Sequence, residues 1–138
     1  MLATDAAVKA QGLVPLARLV AWARVGCDPS IMGIGPVEAI KGVLAAAQVQ
    51  LDDVARVEIN EAFAAQFLAC QKALKLDMER SNIHGGAIAL GHPLGASGSR
   101  ITAHLANELK LAGGSKKYAV GSACIGGGQG IAVLLEAV

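Results

Sequence analysis

The chain has 138 residues, of which 54% are hydrophobic and 17% are charged, and its formal net charge is +1. This balance excludes a disordered chain, and the small net charge with only 3% aromatic residues argues against a nucleic-acid-binding surface. No apolar run reaches the roughly 20 residues of a membrane span, and the first residues match neither a secretory signal nor a transit peptide. The length predicts one domain with an aliphatic core.

The first third of the chain alternates between helical and strand-like patterns. Residues 5–11 predict a helix that ends at Gly12, because glycine is favoured just after a helix. Residues 16–25 predict a long strand and residues 28–35 a loop, after which Pro36 takes the favoured first position of a helix. The apolar residues of that helix recur at helical spacing: Val37, Ile40, Val43, Leu44 and Ala47.

The middle of the chain begins with a turn at Asp52-Asp53 and a short strand over residues 54–59. A second helix is predicted over residues 60–74, because one apolar stripe runs along it. That stripe consists of Phe63, Phe67, Cys70 and Leu74. Phe63 and Cys70 are therefore expected to pack in the core.

The last third predicts a helix over residues 97–112 that stops at Gly113-Gly114, followed by strands over residues 118–124 and 131–135. The helix carries an apolar stripe of Ile101, Leu105, Leu109 and Ala112. The glycine-rich turn between the two strands indicates a β-hairpin. Strands that alternate with helices and end in a hairpin predict a layered α/β domain with a mixed sheet.

A glycine-rich run over residues 82–98, NIHGGAIALGHPLGASG, places His92 between a glycine and a proline. The glycines permit close backbone approach, and Pro93 restricts the backbone of His92 as well as its own. The imidazole is therefore held on a rigid turn, which suits acid–base chemistry near neutral pH. A turn histidine hydrogen-bonded to the backbone is the alternative.

Two further motifs accompany this turn: NEAF, which begins at Asn60, and CIGGGQG, which begins at Cys124. In this order the three motifs resemble the C-terminal half of the thiolases, the enzymes that make or cleave 3-ketoacyl-CoA. The resemblance extends over essentially all 138 residues. The run GCDPSIMGIGP over residues 26–36 resembles the mitochondrial type of 3-ketoacyl-CoA thiolase.

The resemblance implies an α/β fold in which each half of the enzyme has a βαβαβαββ order. Such a half contains a mixed five-stranded sheet covered by helices, and two halves pack as a five-layer α/β/α/β/α unit. Residues 1–12 would then be the remnant of the preceding N-terminal half, and residues 13–138 the C-terminal domain.

The resemblance also implies chemical roles. His92 would draw a proton from a thiol and then help to bind a thioester oxyanion, while Cys124 would shuttle the α-proton of the acetyl group. A lowered thiol pKa would serve that shuttle, although no feature of the sequence indicates one. Asn60 would hold a water that forms half of an oxyanion hole with His92, and the Gly126 peptide N–H would serve a second hole. Met32 is a candidate for the wall of the pantetheine tunnel.

Several of these residues have structural alternatives. Buried cysteines are mostly inert, and the residue pattern alone favours Asn60 as a helix N-cap. Glu61, in the first helical turn, would favour the helix dipole. Ser97 and Arg100 form a weak candidate for a phosphate site at a helix N-terminus. Cys27 is interpreted as structural, and none of the three cysteines has a partner at metal-ligand spacing.

The resemblance thus implies the C-terminal catalytic domain of a thiolase, which transfers an acyl group to CoA by thiolytic cleavage of 3-ketoacyl-CoA or catalyses the reverse Claisen condensation of acetyl-CoA. The substrates that the resemblance implies are acyl-CoA and CoA, and no metal or cofactor is expected. The expected partners are an N-terminal thiolase half and, in the full enzyme, further copies in a homo-oligomer, without nucleic acid or a membrane span. The expected location is intracellular, in mitochondria or cytoplasm.

The family's acylated-cysteine motif is absent from these 138 residues, so the chain alone is expected to be inactive. Two alternatives stay open. One is a non-catalytic thiolase-like domain that binds acyl-CoA or a partner half. The other is a chain whose glycine turns are purely structural.

Overall fold

The structure, a computed structural model, describes residues 1–112 and 117–138, and of Ala112 only the backbone. The described elements are α1 Asp5–Gln11, β1 Ala17–Gly26, α2 Gly35–Ala47, β2 Val54–Ile59, α3 Ala64–Leu74, α4 Ala87–Leu90, α5 Ser97–Ala112, β3 Tyr118–Ile125 and β4 Gln129–Ala137. Short 3-10 turns cover Pro29–Ile34 and Leu51–Asp53. The predicted helix stop at Gly113-Gly114 lies outside the described residues.

The sheet is mixed, which confirms the predicted α/β class. Its strand order is β1-β4-β3-β2, in which β4 pairs antiparallel with both β1 and β3, while β2 and β3 are parallel. The β3–β4 pair is the predicted hairpin. Because β2 and β3 are parallel, their carboxyl ends lie at the same edge of the sheet.

The expectation of five strands is wrong for the described residues, which contain four. The place of the missing strand, between α3 and α4, holds a single parallel bridge between Ser81 and Val57. Around it, Val57 N–H donates to Arg80 O and Asn82 N–H donates to Val57 O, each at 2.9 Å. Asn82 then adopts a φ of 46°, which no extended strand can accommodate, so the pairing ends there.

The two faces of the sheet carry separate apolar layers. Neighbouring strand residues point to opposite faces, so Leu134 packs into the α2 layer and Leu135 into the α5 layer. The α2 layer contains Ile40 and Val43, as predicted from their spacing. The α5 layer contains Ile101, Leu105 and Leu109, which confirms the described part of the predicted stripe.

Residues Pro29–Ala47 have the length and composition of a membrane-crossing helix. They do not form one regular helix, because Ile31 has non-helical dihedral angles. The α-helical part, α2, has 13 residues and spans only about 20 Å, and its Ile40 and Val43 are fully buried in the core. We therefore assign α2 as a core helix.

The second predicted helix begins four residues later than expected, at Ala64 rather than Asn60. Asn60 N–H donates to Ser122 O at 2.8 Å, so the chain prolongs the pairing with β3 instead of entering a helix. Phe63 occupies the N-cap position, and its side chain is 61% exposed, so its predicted place in the core is wrong. Cys70 is fully buried, as predicted.

Candidate active site

Three of the predicted site residues lie at the edge of the sheet where β2 and β3 end. Asn60 directly follows β2 and is bonded through its backbone to Ser122 of β3. Cys124 lies two residues farther along β3, and Gly126 is the first residue of the turn to β4. The parallel pairing of β2 with β3 is thus what brings two distant motifs together.

The glycine-rich run brings His92 to the same edge. The chain leaves α4 through Gly91, whose φ of 91° is accessible mainly to glycine, and Pro93 follows the histidine. Asn60 Nδ2 lies 3.3 Å from His92 Nε2 and 3.5 Å from His92 Nδ1. His92 and Asn60 are therefore in direct contact, although 32 positions separate them.

Ser97 lies against Nδ1 of His92 and favours the tautomer in which that nitrogen carries the ring proton. Its Oγ lies 2.7 Å from His92 Nδ1 and also donates to the Pro93 carbonyl oxygen at 3.1 Å. Because the single hydroxyl hydrogen is used on Pro93, Ser97 Oγ accepts the Nδ1–H of His92. The Nε2 nitrogen is then left with a lone pair, which is the state that a general base requires.

Asn60 is placed for a polar role in the site. Its side chain is fully buried, and its Oδ1 has no hydrogen-bond partner within residues 1–112 and 117–138. The N-cap alternative is wrong, because α3 starts after Phe63 and Asn60 caps no helix. A buried amide oxygen without a partner is costly, so a donor that enters the site would be held there.

Cys124 is a half-buried thiol with a raised pKa. Burial is the largest cause of the raised pKa, and a negative charge on Cys27 would raise it further. The hydrogen bond from the backbone of Cys124 itself lowers the pKa and offsets part of this effect. A lowered pKa, which would suit proton shuttling in the thiolate form, is not what these residues produce. Near neutral pH Cys124 is a protonated thiol.

The segment that carries Met32 is held beside the β3–β4 turn. Cys27 N–H donates to Gly128 O at 2.8 Å, and Gly128 has a φ of 88°. A Cβ on Gly128 would collide with Cys27 O, so this close approach requires glycine. Met32 is half-buried, and its carbonyl oxygen accepts the Cys27 thiol at 3.9 Å. Among the described residues, the side-chain-to-side-chain hydrogen bonds of the site join Asn60, His92 and Ser97.

Two residues that anchor the site were not predicted in this role. Ser97 was interpreted only as a weak phosphate candidate, and Asn82 was not singled out. Asn82 Oδ1 accepts Ile59 N–H and its Nδ2 donates to Ile59 O, each at 2.9 Å, so it fixes the start of the glycine-rich run against β2. The only sequence signal for Ser97 was its place at the start of a helix shortly after His92.

A buried polar network connects β2 with α5. Glu58 is 2% exposed, and burial raises its pKa to about 7. Its Oε2 lies 3.9 Å from Arg100 Nη1, and its Oε1 lies 3.4 Å from His104 Nε2. Arg100 thus faces a carboxylate inside the domain, and the weak phosphate-site hypothesis gains no support from this contact.

The same network contains a possible group of metal ligands, since His84, His104 and Glu108 offer ligand atoms within 4.8 Å of one another. Arg56 Nε, however, lies 3.0 Å from Glu108 Oε2, and His84 Nδ1 lies 3.6 Å from Glu108 Oε1. Both carboxylate oxygens of Glu108 are therefore engaged. Because Glu108 is already paired with the Arg56 guanidinium, we propose no metal site at this group.

Comparisons with known proteins agree with this geometry. The family model described as thiolase, C-terminal domain, matches residues 13–137. The human protein named 3-ketoacyl-CoA thiolase, mitochondrial, is 61% identical over 136 residues, which cover 99% of this chain and 34% of that protein. Acetyl-CoA acetyltransferase of Escherichia coli K12 is 49% identical over 132 residues, which cover 96% of this chain and 33% of that protein.

Solved structures give the same result. The crystal structure of human mitochondrial 3-ketoacyl-CoA thiolase in complex with CoA superimposes with a TM-score of 0.95 at 61% identity, covering 99% of this chain and 34% of that one. The Bacillus anthracis acetyl-CoA acetyltransferase gives 0.93 at 47% identity, covering 98% and 34%. The chain thus spans about a third of the length of the proteins that it matches.

Proposed function

This chain belongs to the thiolase family, and from that premise we propose that it acts as the C-terminal catalytic domain of an enzyme that transfers acyl groups to coenzyme A. The proposed reaction is thiolytic cleavage of a 3-ketoacyl-CoA, or the reverse Claisen condensation of acetyl-CoA. The observation that carries the proposal is the contact of His92 with Asn60 at the edge of the sheet where β3 ends, one residue after Cys124.

In the proposed reaction, His92 first acts as a base. Its Nε2 accepts the proton of the thiol that becomes acylated, and the resulting thiolate attacks the ketone carbon of the substrate. The protonated ring can then donate a hydrogen bond to the thioester oxygen. The Ser97 contact supports this role, because it directs the free lone pair to Nε2.

Cys124 is proposed as the acid for the carbon leaving group. When the bond between the α-carbon and the ketone carbon breaks, the Cys124 thiol gives its proton to the α-carbon, which leaves as acetyl-CoA. In condensation the same sulfur, as thiolate, takes that proton back. The raised pKa of Cys124 supports the thiolytic direction, in which the sulfur must begin protonated.

Asn60, Gly126 and Met32 are proposed to position the substrate. The buried Asn60 side chain, with its unpartnered Oδ1, would hold a water that completes an oxyanion hole with His92. The Gly126 N–H would contribute to a second hole, since this exposed turn has no side chain in the way. Met32, held beside the same turn, would line the channel for the pantetheine arm of CoA.

Turnover is proposed to require a second thiolase half. None of the three cysteines in these 138 residues lies in the family's acylated-cysteine motif, so that nucleophile must come from another polypeptide segment. We also propose that the complete enzyme is a homo-oligomer. The relatives include enzymes named as mitochondrial and as cytosolic, which supports an intracellular location, and the higher identity of the human mitochondrial relative favours mitochondria.

The test is reconstitution with a separately produced N-terminal thiolase half. We expect no thiolysis of acetoacetyl-CoA by this chain alone and measurable thiolysis after mixing. The His92→Ala variant should lose the restored activity by at least about a thousandfold, because base and oxyanion donor vanish together. The matched control is His84→Ala, which removes an exposed histidine outside the site.

Two results would refute the proposal. Thiolysis by the chain alone would mean that one of its own cysteines is the nucleophile. An equal rate for His92→Ala and His84→Ala in the reconstituted enzyme would remove His92 from the mechanism.

A non-catalytic domain that binds acyl-CoA is the second candidate, and the absence of the family's acylated-cysteine motif from these 138 residues favours it. This candidate predicts that acyl-CoA binds to the reconstituted pair without turnover. Calorimetric binding together with an undetectable thiolysis rate would support it.

A further inference from the structure

Glu61 lies next to Asn60 and reaches across to the glycine-rich run that carries His92. The expectation that it favours the dipole of α3 is wrong, because α3 begins at Ala64. We propose instead that Glu61 is a positioning residue that fixes the His92 turn against Asn60. The inference rests on the proposed function, since that is where His92 and Asn60 acquire their roles.

Both carboxylate oxygens of Glu61 are used on the run. Oε1 accepts Asn82 Nδ2–H at 2.8 Å, and Oε2 accepts Ile88 N–H at 3.2 Å. Asn82 lies at the start of the run, and Ile88 lies in α4, four residues before His92. One side chain thus bridges two points of the run that are six residues apart.

Gly86 leaves the space in which this carboxylate sits. A Cβ on Gly86 would lie 2.6 Å from both Glu61 Oε1 and Oε2, and it would also collide with the carboxyl carbon. The backbone of Gly86 has a φ of −128°, which any residue adopts. Its lack of a side chain is therefore explained by the carboxylate and not by backbone strain.

The bridge is itself anchored to the sheet. Asn82 is bonded through its side chain to both backbone groups of Ile59, the residue before Asn60. A continuous path of hydrogen bonds therefore runs from β2 through Asn82 and Glu61 to Ile88. It ties the turn that carries His92 to β2, the strand that ends directly before Asn60.

The consequence concerns the distance between the two site residues. His92 and Asn60 meet at 3.3 Å, a separation that a displacement of about 1 Å would abolish as a polar contact. Small misplacements of catalytic groups cost large factors in rate because the groups must meet the reacting atoms in a narrow geometry. Glu61 would thus act on the rate without touching the substrate.

The test uses two separate variants, Glu61→Gln and Gly86→Ala. Gln keeps the size of the side chain but offers one acceptor oxygen where two are used, and Ala at position 86 displaces the carboxylate. In NMR spectra of the chain, both variants should shift the imidazole signals of His92 and the side-chain amide signals of Asn60. The matched controls are Glu38→Gln, on the exposed face of α2, and Gly42→Ala, whose Cβ meets only an ordinary 3.5 Å contact.

The second readout is kinetic and uses the reconstituted enzyme. Each variant should lower kcat by about tenfold or more with little change in KM, because positioning of the base is lost rather than binding of CoA. The double variant should be no slower than the slower single variant, since the two changes disrupt the same contact, that of the Glu61 carboxylate with the glycine-rich run. Both controls should keep the parent kcat.

The outcomes separate this inference from the proposed function. If the variants lower thermal stability but leave the His92 and Asn60 signals in place, Glu61 is merely structural and the inference is wrong. If those signals shift but the unsubstituted chain mixed with the N-terminal half shows no thiolysis, the proposed function is wrong. The role of Glu61 in positioning His92 is then still supported.

Discussion

His92 can act as a base at Nε2 only if Nδ1 holds the ring proton. Ser97 supplies the acceptor for that proton at 2.7 Å, because its own hydrogen is used on the Pro93 carbonyl oxygen. Removing the hydroxyl leaves both tautomers open and frees the ring to rotate. The effect should therefore appear in the rate more than in stability.

We expect Ser97→Ala to lower kcat of the reconstituted enzyme by roughly 10-fold to 100-fold, within the range that general acid–base catalysis contributes. The matched control is Ser99→Ala, an exposed residue in the first turn of α5. Steady-state thiolysis and the His92 ring nitrogen shifts measure both effects. An unchanged tautomer in Ser97→Ala would contradict the assignment.

The sequence identified the chemistry-bearing residues but not their supports. His92, Cys124 and Asn60 are marked by glycines and by motif order, which are local signals. Asn82 and Glu61 act through hydrogen bonds that form only after the run at 82–98 folds back onto β2, and Ser97 acts through a bond that the turn after His92 creates. Such bonds leave no periodic pattern, so a sequence cannot reveal them.

The buried Cys70 thiol should lower the stability of the folded domain at alkaline pH. Burial raises the pKa of its thiol to about 11 from an ordinary 9.0. In the unfolded chain the thiol loses its proton near the ordinary value, while the folded chain keeps it until the higher pH. The folded state therefore binds more protons in this interval, and stability falls as pH rises through it.

The Cys70→Ala substitution removes this pH-dependent contribution to the free energy of unfolding. The stability difference between the parent chain and the variant should shrink by up to about 2 kcal/mol between roughly pH 8 and pH 11. Urea unfolding at a series of pH values measures it, with Cys27→Ala as the control for loss of a half-buried thiol. Parallel pH profiles for the parent and Cys70→Ala would show that burial does not hold the proton.

The start of α2 and the start of β4 approach each other too closely for any side chain. A Cβ on Gly130 would collide with the backbone of Gly35, and one on Gly35 would lie 2.6 Å from Gln129 O. Neither glycine has a positive φ, so the requirement is space alone. This contact holds the 3-10 turn with Met32 beside the Cys124 turn.

Gly130→Ala should therefore destabilise the domain by about 3 kcal/mol, which is the upper end of the usual cost of overpacking. The cost is high because the new methyl group would collide with backbone atoms of Gly35, which cannot move aside as a flexible side chain can. Gly26→Ala is the matched strand control, since its Cβ would meet nothing within 4 Å and should cost less than about 0.5 kcal/mol. Urea unfolding measures both. Equal stability of the two variants would mean that the close approach is not maintained in solution.

Elements with strong periodicity were predicted well, and those governed by distant partners were not. The bounds predicted for α1, β2 and α5 match the structure, because helical stripes, alternation and terminal glycines act locally. The start of α3 was misplaced because Asn60 pairs with Ser122, a residue 62 positions away. The fifth strand shrank to the bridge at Ser81 for a similar reason, since Asn82 turns away to reach Ile59.

The whole domain has one well-covered face and one that is partly open. Ala21, Ala23 and Val25 of β1 pack into the α2 layer, so the alternate residues Trp22 and Arg24 point to the α5 side. There α5 leaves Trp22 at 69% exposure and Ile131 at 38%. Trp22 and Ile131 are thus exposed apolar side chains on the α5 side, and we call them the apolar strip, since exposed apolar surface favours association.

The isolated chain should therefore self-associate in a concentration-dependent way. Trp22→Ser should weaken the association constant by about tenfold or more, because burial of a large apolar side chain contributes on the order of 2 kcal/mol. Met78→Ser is the control, since Met78 is 43% exposed and lies outside the strip. Sedimentation equilibrium measures the association, and Trp22, the single tryptophan, reports its own burial by a shift of fluorescence to shorter wavelength. A monomer at every concentration, with Trp22 fluorescence typical of water contact, would show that the strip is tolerated as free surface.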